Sequence, residues 1–285
     1  ARDENSETVA SLCWKKLGGT LVVANVSRKR SWGVDLNRGI PSLAISLKMF
    51  DAFINDSNEN ELYEYRKKFA WVSKDEEDYK KRLEIYENFW DEVNKGKCII
   101  LVHRALTRVK NMSSVMDIVV FDSEHKRKVR DIIKDVNIKY YEFLKKIDRA
   151  YKNMVLFEEE RFVSNLLRVF GSFDLGKISG EYKSHLLQDI EKIKVLASPK
   201  YYKYLQEDFN PQNFLKAVRN VVDNSSIPSI TLEYAFDGSL AHGPRNKLMP
   251  LGDKIVIEIE SSRFLNFWYP EVAADMIADI VRKLG

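Results

Sequence analysis

The chain has 285 residues, of which 45% are apolar and 31% charged, and it carries a net charge of +4. That length supports one large α/β domain or two small ones with ample core, and the composition excludes a disordered chain. No apolar run approaches the ~18 residues of a membrane span, and no N-terminal signal-peptide pattern is found, so a cytoplasmic protein without a membrane span is expected.

In chain order, Thr20 to Val26 reads as a buried strand, Ser27 to Ser31 as a polar turn and Trp32 to Leu36 as a short returning strand. Ser42 to Leu47 alternates and is expected as a third strand, giving an antiparallel meander at the start of a mixed sheet. From Ser73 to about Asn94, Tyr79, Leu83, Tyr86, Phe89, Trp90 and Val93 recur at helical spacing behind acidic residues, and Gly96 is a stop. Cys98 to Val102 and Val115 to Phe121 are apolar strands. A basic helix over Glu124 to Asp135, a weak alternation at Lys139 to Leu144 with Asn153 to Phe157 beside it, and a helix over Glu158 to Phe170 follow. Helices are expected near Tyr182–Ile193 and over Pro211–Val222, with strands at Ser229–Phe236 and Lys254–Ile259. Pro270 opens a last helix with an apolar stripe from Val272 to Leu284. No internal repeat or linker divides the chain, so residues 1–285 are taken as one domain.

Cys13 and Cys98 sit in or beside apolar segments and read as buried, reduced thiols. His103, His125, His185 and His242 are scattered, which argues against structural zinc. The abundance of Lys, Ile, Glu and Tyr is thermophile-like. The positive charge is clustered. Arg28, Lys29 and Arg30 with Arg38 form one group, and Lys126, Arg127, Lys128 and Arg130 another. Such runs are commonly solvated faces, but the first lies beside Asp35, where a phosphate-binding charge has a use.

Two-metal phosphodiester chemistry needs carboxylates that hold divalent ions, here Mg²⁺ or Mn²⁺, against the scissile phosphate. Asp35 is a candidate at the end of a strand, although Asp-Leu-Asn-Arg-Gly is also good turn chemistry. Asp275 is a second, on a helix face where Glu271, Asp275 and Asp279 recur every fourth residue as on a solvated face. The strand from Cys98 exits into His103-Arg104-Ala105, where Arg104 could meet a phosphate.

Taken in order, Leu17-Gly18-Gly19 after Lys16, the run Gly33-Val34-Asp35-Leu36-Asn37-Arg38, the strand ending Val102-His103-Arg104, and the last helix entered through Tyr269-Pro270 with Ala274-Asp275 resemble the PIWI domain of archaeal-type Argonaute proteins. The resemblance implies an α/β, ribonuclease-H-like fold, a mixed sheet flanked by helices, that holds a guide strand paired to a target. It matches the first catalytic carboxylate to Asp35 and the last to Asp275, with both as metal ligands, and the middle one to Ala105. The family's loop glutamate would be Glu59, Glu61 or Glu64, and the sequence does not choose among them. Loss of the carboxylate at Ala105 implies a protein that binds nucleic acid without cutting it, through Lys16, Arg28, Lys29, Arg30, Arg38 and Arg104. It further implies that the family's MID and PAZ domains lie outside this chain, with a separate MID-bearing subunit as a partner and prokaryotic defence as the role.

Competing readings are an active ribonuclease-H-like nuclease, a pita-bread pseudo-peptidase built on His242-Gly243-Pro244 and Glu258, a PD-(D/E)xK nuclease using Asp237 with Glu258 and Glu260 on an edge strand, and an α/β interaction protein without a site, for which Asp35 and Asp275 would lie far apart.

Overall fold

A computed structural model describes residues 5–23, 33–55, 59–121, 123–233 and 254–284. Among these, four strands form one mixed sheet: β1 (Cys98–Ala105), β2 (Ser114–Val120), β3 (Ser229–Leu232) and β4 (Ile255–Ser262), in the spatial order β1-β4-β2-β3. β1 runs parallel to β4, β4 antiparallel to β2, and β2 parallel to β3. The helices are α1 (Ser6–Leu17), α2 (Leu43–Ile54), α3 (Glu59–Lys68), α4 (Glu76–Val93), α5 (Ser123–Phe170), α6 (Gly180–Leu196), α7 (Pro199–Glu207), α8 (Pro211–Asp223), α9 (Arg263–Trp268) and α10 (Pro270–Leu284). The α/β class with a helix-flanked mixed sheet is therefore present. No described helix is long and apolar enough to cross a membrane.

Alternation along the strands divides the core. Met116, Ile118 and Val120 of β2 and Ile257 and Ile259 of β4 face a large cluster shared with α1, α5, α8 and α10. Ile99 and Leu101 of β1 and Val256 of β4 face the other way, onto Trp71, Tyr86, Trp90, Val34 and Leu36. Neighbouring residues of one strand thus supply opposite layers, as period-2 geometry requires.

Several expected elements differ. Ser42–Leu47 is not a strand but the start of α2. Ser42 caps the helix by accepting the Ile45 N–H at 3.3 Å, and Met49 continues the apolar spacing at helical period. The two strands and helices expected between 124 and 170 are one helix, α5, of 48 residues. Its seam of Val129, Ile132, Val136, Leu144, Ile147, Tyr151, Val155, Val163 and Leu166 keeps helical spacing throughout, and no Gly or Pro interrupts it. Residues 33–35 lead into a turn rather than a strand, and residues 24–32, with most of the expected first hairpin, lie outside the described residues. Cys13 is buried, and burial pushes its thiol up to about 12, whereas Cys98 is exposed, contrary to expectation. Gly18 and Gly19 end α1 with φ of +75° and +85°, a region that L side chains avoid.

The connection from β1 to β2 is anchored in the helical layer. Arg108 donates to Glu159 of α5 at 3.0 and 3.2 Å and to Asp189 of α6, and the Val109 N–H donates to Glu159 at 2.8 Å. At its rim, Lys110 Nζ donates to His185 Nδ1 at 2.8 Å, so the imidazole must be neutral there. Burial holds the His185 pKa below its ordinary value, with Glu181 opposing and Lys110 and Arg108 reinforcing. The unfolded chain then binds a proton that the folded chain refuses. Stability is complete above the unfolded imidazole value of about 6.5 and falls as pH drops below it. Replacing His185 with Gln is expected to flatten the stability profile as pH falls below about 6.5. Urea midpoints measured across that range test this, and an unchanged slope would refute it.

Candidate functional site

Asp35 lies in the turn 35–38 that α4 holds against β1. Trp90 Nε1–H donates to the Leu36 carbonyl at 3.1 Å, and Tyr86 hydroxyl donates to the Arg38 carbonyl at 2.9 Å. The Asp35 N–H donates to the Ala70 carbonyl at 2.7 Å, and Gly39 bridges to Phe69. Asp35 is buried, and its Oδ1 accepts the Asn37 N–H at 3.1 Å, an Asx turn. Arg38 Nε stands 4.0 Å from Asp35 Oδ2 and 3.2 Å from the Arg66 carbonyl.

Asp275 has a different setting. It lies on α10, and its Oδ1 is 2.8 Å from Lys16 Nζ on α1, with Glu271 3.7 Å from the same ammonium. This ion pair raises the pKa of Lys16, chiefly through the Asp275 hydrogen bond. Val34 and Leu36 pack on one sheet face and Ala273, Ala274 and Met276 on the other, so the elements bearing Asp35 and Asp275 belong to opposite layers. Lys16 is spent in part on Asp275 and Glu271 rather than presented to a ligand. Arg104 is half-buried in β1, in register with Ser261. Arg28, Lys29, Arg30, Asp237 and the His242-Gly243-Pro244 run lie outside the described residues. Glu61 and Glu64 sit on helix α3 rather than a loop, and Glu64 pairs with Lys67 at 3.0 Å.

The sheet brings together a set that the sequence reading passed over. His103 of β1 is in register with Glu260 of β4, and Leu101 with Glu258. Directly paired residues share a face, so the His103 imidazole and both carboxylates stand on the same side. Their ligand atoms lie within 4.8 Å of one another, and His103 Nε2 is 3.8 Å from Glu258 Oε1. The side chains of His103 and Glu258 are 14% and 13% exposed, which leaves them reachable while withdrawn from bulk water. Asn37 Nδ2 is 3.1 Å from Nε2 and 3.3 Å from Nδ1 of His103, so the turn that carries Asp35 also fixes the imidazole.

On the other flank of β4, Asp117 of β2 is in register with Glu260, and Thr231 of β3 with Asp117. Thr231 hydroxyl donates to Asp117, and Ser114 Oγ lies 2.8 Å from Thr231 Oγ1. Burial raises the Asp117 pKa, with these hydroxyls opposing. The row His103, Glu260, Asp117, Thr231 therefore crosses all four strands. A cavity of about 560 Å³ runs beside β1, with Trp14, Leu17, Asn37, Trp90 and His103 in its wall.

Glu258 and Glu260 were visible in the sequence as alternate carboxylates, but as the marks of an edge strand. β4 is instead flanked by β1 and β2. A central strand is an expensive place for two same-face carboxylates, and that placement is the signal.

No family model, no curated protein and no solved structure matches this chain. The class defined by fold and site is an α/β domain with a mixed sheet whose one face carries an imidazole–carboxylate group able to hold a metal ion.

Proposed function

We propose that this chain recognises nucleic acid as a ribonuclease-H-like domain of PIWI type, holding a guide strand paired to its target. In this reading the pairing between strands supplies sequence specificity, and the protein grips the backbone without cutting it through Asp35 and Asp275. The supporting observation is that two segments far apart in sequence, Asp35–Arg38 and Val102–Arg104, meet through the Asn37–His103 contact. These are two of the segments on which the Argonaute resemblance rests. The partners in this reading are the guide, the target and a MID-bearing subunit, and the setting is cytoplasmic prokaryotic defence. The ion that the resemblance gives this reading is Mg²⁺ or Mn²⁺ at Asp35 and Asp275.

Backbone recognition releases counterions, so affinity for a short duplex should fall at least about tenfold between about 50 and about 200 mM salt. Replacing Arg38 and Arg104 with Glu should weaken binding further and make the salt dependence shallower. Fluorescence anisotropy in EDTA measures both. A chain that fails to bind at low salt, or binds with no salt dependence, would exclude this function.

One observation favours a second reading, an active metal-dependent nuclease: His103, Glu258 and Glu260 supply donors that the missing carboxylate at Ala105 does not. Cleavage of the duplex in Mn²⁺, abolished in the Glu258→Gln variant, is the result that would favour it.

A further inference from the structure

We infer that His103, Glu258 and Glu260 form a binding site for a single divalent transition-metal ion of the Mn²⁺ or Zn²⁺ type, separate from Asp35 and Asp275. The site stands on its own geometry and does not depend on nucleic-acid binding.

Three lines of argument meet here. The first is donor convergence. Two strands far apart in sequence, β1 and β4, pair in a register that sets one nitrogen and two oxygen donors on one face within 4.8 Å. An ion between them would sit within ordinary bonding reach of all three after small side-chain rotations.

The second is orientation of the imidazole. A metal-binding histidine is commonly held by a hydrogen-bonding neighbour that fixes its ring. The Asn37 amide lies against the His103 ring with Nδ2 3.1 Å from Nε2. An ion-bound imidazole donates its other N–H, so the amide would turn its Oδ1 to the ring to accept it. Asn37 is itself placed, because its N–H is held by Asp35 and the carbonyl before it by Trp90. Asp35 thereby acquires a positioning role in place of a ligand role.

The third is the local field. Glu260 lies between His103 and Asp117 in register, and Glu258 lies on the same face two residues earlier. Directly opposed carboxylates on paired strands repel, and a divalent cation relieves that repulsion. Asp117 is engaged by the hydroxyl of Thr231, so the bonds to an ion come from Glu258 and Glu260.

Three protein donors leave open positions on the ion for water or a ligand oxygen. The mixed nitrogen and oxygen set selects a transition ion over Mg²⁺ or Ca²⁺, which prefer oxygen alone.

The test uses the full chain, stripped with EDTA and exchanged into metal-free buffer, with no nucleic acid present. Mn²⁺ is titrated and the free ion followed by its electron paramagnetic resonance signal, and Zn²⁺ is added as a competitor. One Mn²⁺ per chain is expected, displaced by Zn²⁺ and not by an equal concentration of Mg²⁺. His103→Ala and Glu258→Gln should each weaken binding at least about tenfold, while Asp275→Asn on the opposite layer should leave it unchanged. Glu258→Gln keeps the shape of the side chain, and melting curves establish that each variant is folded. Absence of saturable binding overturns the site. So does binding that survives both His103→Ala and Glu258→Gln, or that is lost in Asp275→Asn. Because duplex affinity is measured separately in EDTA, failure here and failure of the nucleic-acid reading are distinguishable.

Discussion

Replacing Arg108 with Ala is expected to cost about 3–5 kcal/mol of folding stability, a large part of the roughly 5–15 kcal/mol that holds a typical domain together. The guanidinium is almost wholly buried, as are the two carboxylates it serves, Glu159 and Asp189. It also lies over the Phe162 ring, 3.5 Å from the centroid. Without Arg108, two acidic side chains with no exposed surface lose their main hydrogen-bond donor and cation. Burial and the neighbouring Glu159 already push the Asp189 pKa well above its ordinary value, with Arg108 and Lys110 as the opposing influences. The milder Glu159→Ala leaves Arg108 with Asp189 as a partner and should cost less, although it also strips the Val109 N–H of its acceptor. Urea unfolding followed by circular dichroism separates the two. A loss below about 1 kcal/mol for Arg108→Ala would mean that water reaches the network.

Trp90→Ala carries the second large effect, about 3–5 kcal/mol. Trp90 is completely buried between β1 and the turn 35–38, packed edge-on against Phe89 and near Tyr86. Truncation opens a cavity and leaves the buried Leu36 carbonyl without its indole donor. The effect should not stop at stability. The turn released from Trp90 is the one that brings Asn37 to His103, so Mn²⁺ binding should weaken as well. Trp90→Phe preserves most of the packing and loses the hydrogen bond, so it should cost about 1–3 kcal/mol while moving metal affinity in the same direction. Equal Mn²⁺ affinity in a folded Trp90→Phe chain would show that the turn is held by packing alone.

The sequence was most legible where one signal dominated. The cores of β1, β2 and β4 are short apolar runs, and α4, α8 and α10 carry long helical stripes with acidic or proline starts, so local pattern and tertiary need agree there. It was misleading where a short window held two periods. Ser-Leu-Ala-Ile-Ser-Leu alternates over six residues, and only the cap at Ser42 and Met49 beyond it reveal a helix. In α5, Lys139–Leu144 looks strand-like alone, and the seam on both sides decides otherwise.

The candidate metal group was out of reach for a different reason. Nothing local joins His103 to Glu258, because their proximity is created by parallel pairing of β1 with β4 across more than half of the chain. Ala105 lies on β1, whereas the nearby carboxylates Glu258 and Glu260 lie on the adjoining strand β4.

The 48-residue helix α5, about 72 Å long at 1.5 Å per residue, is gripped at several places along its length, among them Asn137 with Ile230 and Tyr151 with the Ser114 carbonyl. Near its start Lys128 reaches the Leu284 carbonyl at the end of α10, and about three-quarters of the way along Glu159 holds the β1–β2 connection. A rod clamped at one point pivots, but a rod clamped at several transmits bending without swinging. The helical layer and the sheet should accordingly come apart together, with backbone amides in the middle of α5 exchanging with solvent at one common, slow rate set by global opening rather than fraying turn by turn.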